Sequence, residues 1–445
     1  MIGVVFLVIA LIILHIVMTM FMVILERDKP RYILCWSIIF LFTSIIGYVV
    51  YLLSRKVQYN KIKSLKKKEL EDIIYTSLVE KNLKAIDTKV EDDLMNFSEL
   101  EFETATTRNN SYTYFTNHSK FKQNLIKELK TAENYILLEL EKINSEDFEE
   151  VIDVIKEKAM HTVMVKLVYA NSISRKLLKL LKNAGVKVYK FSKYNAIGEV
   201  YGNLRNIISI DGRVAFLGDF YMNPSQLSSK FEITHSILKI EGDILQNVDL
   251  NLHKDVVFAS GKFMNFKQYK KQEISNTTNM QYVSNQISNN IELLLIKAIC
   301  SAKKSIQLQL EKFIPTESIM SLLRFAINSN IEVRLMIPLK SNRHGKYYAS
   351  RAYAKQLALF GANVYLYDGY IKFNAITVDS KYVLNGAFVL DREHIGSSLQ
   401  NIMLIKDEKA VEHFNKIFDA DINNSYRIND AKFMLFREKF FRNFI

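Results

Sequence analysis

Two long apolar runs open the chain. Met1 to Leu25 contains no Asp, Glu, Lys or Arg, and Tyr32 to Leu53 is equally free of them. About 20 apolar residues in helical form span a bilayer core, so the runs predict transmembrane helices at about 2–25 and 32–53. The link between them, Glu26-Arg27-Asp28-Lys29-Pro30-Arg31, leaves room only for a tight connection, and the pair is expected to form a hairpin. No basic segment precedes the first run and no small-residue cleavage site follows it, which argues against a signal peptide. Arg55, Lys56, Lys61, Lys63, Lys66, Lys67 and Lys68 come directly after the second run. By the positive-inside rule this predicts a cell-membrane, multi-pass protein with its large C-terminal part in the cytoplasm.

Beyond the hairpin the pattern changes. Residues 59–110 are highly charged and lack β alternation, and they read as a linker with local helix. From Ser111 the chain repeats itself, a feature that outranks local propensity in deciding architecture. TAENYILLELEK from Thr131 matches SAKKSIQLQLEK from Ser301; each follows an amphipathic helix and runs into an alternating strand. Val163 to Tyr169 matches Glu332 to Pro338 as a buried strand. Then come helices ending at Ala184-Gly185 and Phe360-Gly361, followed by strands Val186 to Phe191 and Ala362 to Tyr367. SIDGRVAFLG from Ser209 matches TVDSKYVLNG from Thr377. Four blocks in the same order, about 170 residues apart, indicate two similar α/β halves. A pseudo-two-fold pair of this kind sets matching loops face to face across one cleft.

Composition adds a direction. The net charge of +13 favours anionic partners, either nucleic acid or an acidic membrane surface. The only cysteines, Cys35 and Cys300, lie far apart, so no disulfide framework is indicated. No His/Cys cluster has metal-ligand spacing, and no metal or cofactor is expected. His118, His235, His253, His344, His394 and His413 are expected as surface or packing residues.

The segment ILERDKPRYILCWSIIFLFTSIIGYVVYLLSRK resembles the N-terminal anchor of bacterial cardiolipin synthases, of the phospholipase D superfamily. FIPTESI from Phe313, MIPLK from Met336, ASRAYAKQLALFGANVYLY from Ala349 and VDSKYVLNGA resemble that family's second half. NIISIDGRVAFLGDF resembles its first. The fold implied is α/β, with two pseudo-symmetric phospholipase D-like domains of mixed sheets flanked by helices, preceded by the transmembrane hairpin. The expected boundaries are 1–58 for the hairpin, 59–110 for the linker, 111–265 for the first domain and 280–445 for the second.

The resemblance also implies a chemistry, carried by an HxKxxxxD motif in each half. One imidazole attacks phosphorus to form a phosphohistidine, and the other protonates the leaving alcohol. Counting back from Asp211, the His position holds Leu204 and the Lys position Asn206; counting back from Asp379, they hold Lys372 and Asn374. No His lies between Lys187 and Thr234, nor between Lys346 and Glu393, so a register slip restores nothing. Leu204 can neither attack nor transfer a proton. Lys372, with an ordinary pKa of about 10.4, is a poor nucleophile unless strongly desolvated.

No catalytic residue is therefore assigned. Asn206, Asp211, Lys372, Asn374 and Asp379 are expected as a ligand-binding set, with Lys372 supplying the electrostatic attraction for a phosphate. Asp211 and Asp379 have a structural alternative, because Asp caps turns well after a strand. Three functions compete. The first is a cardiolipin synthase-like pseudoenzyme that binds anionic phospholipid (phosphatidylglycerol or cardiolipin) or modulates an active cardiolipin synthase paralogue. The second is an active phosphatidyltransferase joining two phosphatidylglycerol molecules. The third is a nucleic-acid-binding relative, against which the anchor argues, so no nucleic acid is expected as a partner.

Overall fold

The computed structural model describes residues 2–25, most of 33–53, and, with short exceptions of which 221–231 is the longest, 92–260 and 277–428. The link 26–31 and the basic run from Arg55 to Lys68 lie outside the described residues. The chain divides into two compact units, Met1–Ala85 with Lys193–Tyr201, and Ile86–Ser192 with Gly202–Ile445.

In the first unit α1 (Ile2–Leu25) runs for 24 residues. The described parts of 33–53 are also helical. Met22 is buried with Trp36, Phe40 and Tyr51, and Trp36 meets Tyr51 edge-on at 5.3 Å. The outer surface is apolar: of the 23 large apolar side chains exposed among the described residues, 16 fall between Ile9 and Leu53. Taken over the residues whose side chains are described, no helix is long and apolar enough to cross a membrane. The unbroken backbone of α1 and its charge-free sequence nonetheless stand together.

The second unit begins with α2 (Asp93–Phe102). The first half follows as β1 (Asn110–Phe115), α3 (His118–Lys130), β2 (Tyr135–Leu140), α4 (Glu149–Met160), β3 (Met164–Tyr169), α5 (Arg175–Asn183) and β4 (Lys187–Lys190). Two short strands of the first unit, β5 (Lys193–Tyr194) and β6 (Val200–Tyr201), come next. Then come β7 (Ile207–Ile210), β8 (Val214–Leu217), β9 (Glu232–Thr234), β10 (Ile237–Gly242) and α6 (Leu245–Ser260). The second half repeats the plan with β11 (Asn279–Ser284), α7 (Asn290–Ser301), β12 (Ser305–Gln309), β13 (Phe313–Ile314), α8 (Glu317–Asn328), β14 (Glu332–Pro338), α9 (His344–Leu359) and β15 (Asn363–Tyr367). It ends with β16 (Gly369–Ile371), β17 (Asn374–Val378), β18 (Tyr382–Gly386), β19 (Leu390–Asp391), β20 (Asn401–Lys406), α10 (Glu408–Ile422) and β21 (Ser425–Arg427).

Each half owns one mixed sheet. The strand orders are β1-β10-β8-β7-β2-β3-β4 and β11-β20-β18-β17-β12-β14-β15-β21. The repeat read from the sequence maps strand for strand onto the two sheets, with β2, β3 and β4 parallel like β12, β14 and β15. Of the parallel strands, β2 and β3 are mostly apolar, because helices cover both faces of the sheet there, whereas β12 alternates. Leu177 and Leu181 of α5 pack with Val151 and Ile155 of α4 in one core cluster, and Leu323 of α8 packs with Leu357 of α9 in the matching one. A third cluster lies between the sheets and joins Leu137, Ile207 and Leu217 to Met336, Ala375, Met403 and Phe414.

One expected boundary is corrected. Residues 92–107, assigned to the end of a linker, are built into the second half. Leu94 and Met95 of α2 sit in its core, and Thr107 bridges to Met280 of β11. Asp92 caps α2 by accepting the Met95 N–H at 3.1 Å. Its carboxylate also takes the Tyr382 hydroxyl at 2.6 Å and lies 2.9 Å from Lys406 and 3.1 Å from Lys381. Burial alone would raise its pKa, but these four donors outweigh burial and hold it at about 2. The sequence carries no local cue to this docking, since Tyr382 lies 290 residues away.

Candidate functional site

The five candidate ligand residues separate into two places. Asp211 and Asp379 follow β7 and β17, while Asn206 and Asn374 stand at the other ends of those strands. Five residues at about 3.3 Å each put roughly 16 Å between the members of each pair.

The two aspartates do the same structural job. Asp211 accepts the backbone N–H groups of Glu133, Asn134 and Tyr135 at 2.7, 2.8 and 2.7 Å. Asp379 accepts those of Lys303, Lys304 and Ser305 at 3.1, 2.8 and 2.9 Å. Both residues adopt left-handed backbone, φ 55° and 52°, which Asp tolerates better than most residues. In the first half Gly212 continues at φ 62°, so both central residues of the β7–β8 turn are left-handed. The carboxylates thus tie the strand turn to the start of β2 or β12. Three backbone N–H groups on each carboxylate are the arrangement of a turn cap, the structural alternative for both residues.

Asn206 and Asn374 are also twins. The Asn206 Oδ1 accepts the Glu141 N–H at 2.9 Å, and the Asn374 Oδ1 accepts the Glu311 N–H at 2.9 Å. Each Asn therefore fixes the loop that leaves β2 or β12 and carries a glutamate. These glutamates converge on Lys372, whose ammonium lies 3.8 Å from Asp219. Burial tends to neutralise Lys372, but Asp219, Glu311 and Glu141 prevail and raise its pKa. Its backbone N–H donates to the Thr234 carbonyl at 2.9 Å, joining the halves at this point. Asn206 and Asn374 are thus linked to Lys372 through Glu141 and Glu311. Sequence reasoning missed Glu141, Glu311 and Asp219. The two glutamates were visible as the shared LEK of the repeat.

The balance of charge around Lys372 departs from expectation. Lys372 faces three carboxylates, so its charge is internally compensated and an incoming phosphate must compete with Asp219.

Between Leu204 and Asn206 sits Arg205, fully buried. Its guanidinium bonds Asp255 of α6, the Gln400 carbonyl at 3.2 Å and the Asn285 carbonyl at 2.6 Å. Glu139 lies 3.9 Å away and bonds Asn203. Burial first, and Asp255 second, push the Glu139 carboxyl up to about 8 against the pull of Arg205. The group is a buried ionic staple between the halves, and a charge removed from it leaves an uncompensated partner.

His253 and His413 pack in the interior: the His253 Nδ1–H donates to the Asp249 carbonyl at 2.7 Å, and His413 stacks on Tyr114 at 4.5 Å. Burial lowers His235, His253 and His413 to about 4. Among the described residues no group of three His, Cys, Asp or Glu is placed to hold a metal.

With this geometry in hand, the similar proteins can be compared with it. Residues 295–422 match the model of the cardiolipin synthase PLD-like domain. The chain is 25% identical over 438 residues to cardiolipin synthase 1 of Bacillus cereus, covering 92% of this chain and 86% of that one. It is 28% identical over 432 residues to a cardiolipin synthase of Clostridium perfringens, covering 89% of each. The chain as a whole is similar to cardiolipin synthases, and its second half matches their PLD-like domain. Its fold is also similar to the phosphatidylserine synthase of Haemophilus influenzae, at TM-score 0.60 and 10% identity, over 79% of this cardiolipin synthase-like chain and 97% of that protein.

Proposed function

We infer that this cardiolipin synthase-like protein is membrane-anchored, has lost phosphatidyl transfer, and acts by binding anionic phospholipid or by modulating an active relative. One observation carries the loss of catalysis. The two positions that match the family's histidines hold Leu204 and Lys372, and Asp219, Glu311 and Glu141 keep Lys372 protonated. A protonated ammonium has no lone pair with which to attack phosphorus. Its desolvation, the one route to a nucleophilic lysine, is outweighed by these carboxylates.

The anchor reading draws on the 24-residue charge-free α1 and on the apolar exterior between Ile9 and Leu53. A contiguous exposed apolar surface of that extent marks a lipid or protein contact. We assign the hairpin to 1–58 and the two phospholipase D-like domains to 111–265 and 280–445, with the large C-terminal part cytoplasmic. A reporter fused after Ile445 is expected to read as cytoplasmic, and an exterior signal contradicts this topology.

The deciding test uses the purified full chain in vesicles of phosphatidylglycerol. The expected outcome is no cardiolipin above the blank. Cardiolipin that forms, and disappears in Lys372→Ala, establishes the transferase reading instead.

A further inference from the structure

The sequence from Lys158 to Gly198 contains nine Lys or Arg and no Asp or Glu. The fold gathers most of these cations on one face of the first half. Arg175, Lys176, Lys179 and Lys182 are exposed on α5 and Lys190 on β4 beside it, while Lys187 is exposed on the other face of that strand. Among the described residues none of the six has an ion-pair or hydrogen-bond partner. Lys166 of β3 is in register with Lys187 and shares its face of the sheet, away from α5. Burial first, and Lys187 second, pull its pKa down to about 8.

The arrangement is unfavourable in isolation. Arg175 and Lys179, Lys176 and Lys179, and Lys179 and Lys182 are like-charge neighbours three or four residues apart on one helix, which destabilises it. Protection of the open β4 edge explains lysines on that strand, but not four more on the helix. Leu180, 43% exposed, stands among the cations, while Leu177 and Leu181 hold the opposite side in the core. A basic helix with an outward apolar residue suits an anionic lipid surface. The helix has no aromatic residue on which bases could stack, which disfavours single-stranded nucleic acid.

We propose that the α5–β4 face is a second membrane contact, which lays the first half against the anionic headgroups of a bilayer. It rests on the anchor reading only for bringing the chain to a membrane, and it is separate from the Lys372 cleft.

The test uses the full chain with Cys35→Ser and Cys300→Ser, labelled at Leu180→Cys with an environment-sensitive fluorophore and placed in lipid nanodiscs. The expected result is a blue shift in discs containing phosphatidylglycerol and none in pure phosphatidylcholine. The shift should vanish as salt rises from about 0.1 M to about 1 M, where the Debye length falls from about 10 Å to about 3 Å. It should also vanish in Lys176→Glu/Lys179→Glu/Lys182→Glu. The milder Lys→Gln triple variant guards against a folding artefact and should lower affinity for anionic lipid roughly fivefold per residue. An equal signal in both discs overturns the proposal. So does a response to a polynucleotide that exceeds the response to lipid at the same salt. A chain that fails to enter even phosphatidylcholine discs refutes the anchor instead. Co-sedimentation of the full chain with anionic vesicles, abolished in the triple variant, then decides the basic face.

Discussion

The two halves were laid down on one plan, and they differ where side chains rather than backbone set the structure. Asp211 and Asp379 each collect three backbone N–H groups, and Asn206 and Asn374 each hold the loop of a glutamate. One residue away the likeness ends. Arg205 of the first half is replaced by Phe373 in the second, which packs on Phe414 at 5.8 Å. Glu139 is replaced by Gln309, whose amide donates to Asp421 at 2.6 Å. The first half solves its interior with charge and the second with an amide and a ring. Both solutions serve the same sheet plan, so one backbone frame accepts different side chains in its interior.

The largest expected effect comes from forcing the second-half solution on the first. Arg205→Phe alone leaves the Asp255 carboxylate buried without its cation and should cost about 3–5 kcal/mol in chemical denaturation. Adding Glu139→Gln, which rebuilds the Gln309–Asp421 pairing, should recover a large part of that loss. If the double variant is no more stable than the single one, the two interiors are not interchangeable.

A smaller and symmetric effect is expected at the turns. Asp211→Ala and Asp379→Ala each orphan three N–H groups and put alanine at positive φ, so each should lose about 2–3 kcal/mol. Unequal losses, beyond about 1 kcal/mol, argue that one of the two carries a further role.

Taken per pH unit, the smallest effect is one of pH. The Glu139 pKa is raised from 4.5 to about 8 in the fold, so its contribution is complete below 4.5 and is lost as pH rises through 8. Stability should therefore decline between these values, by at most about 1.4 kcal/mol per pH unit. Glu139→Gln should flatten that decline, whereas Gln309 in the second half has nothing to titrate. The buried His235, His253 and His413 act on the other side: their depressed pKa values of about 4 cost stability as pH falls below 6.5. A slope unchanged in Glu139→Gln assigns the pH response elsewhere.

The frame was legible because it is written in local periodicity. The expected strand over Val186 to Phe191 is found as Lys187–Lys190, and that over Ala362 to Tyr367 as Asn363–Tyr367. The turn-capping role of Asp211 and Asp379 followed from the residue type alone. The ionic staple was not legible, because Glu139, Arg205, Asp255, Asn285 and Gln400 come from five separate segments and meet only after folding. The cleft was half legible. Counting from a motif found Lys372, but the sign of its surroundings depended on Asp219, Glu141 and Glu311. The docking of α2 escaped for the same reason as the staple, its partners being distant in sequence.

The clamp on Asp92 has a mechanical consequence. Asp92 is fastened to Tyr382 of β18 and Lys406 of β20 before the chain reaches β1 of the first half. A pull applied N-terminal to Asp92 is thus delivered to the second half's sheet. Because Tyr382 and Lys406 face each other across neighbouring strands, that load is shared between them. The first half hangs downstream of this mooring and feels tension only through the sheet it leans on.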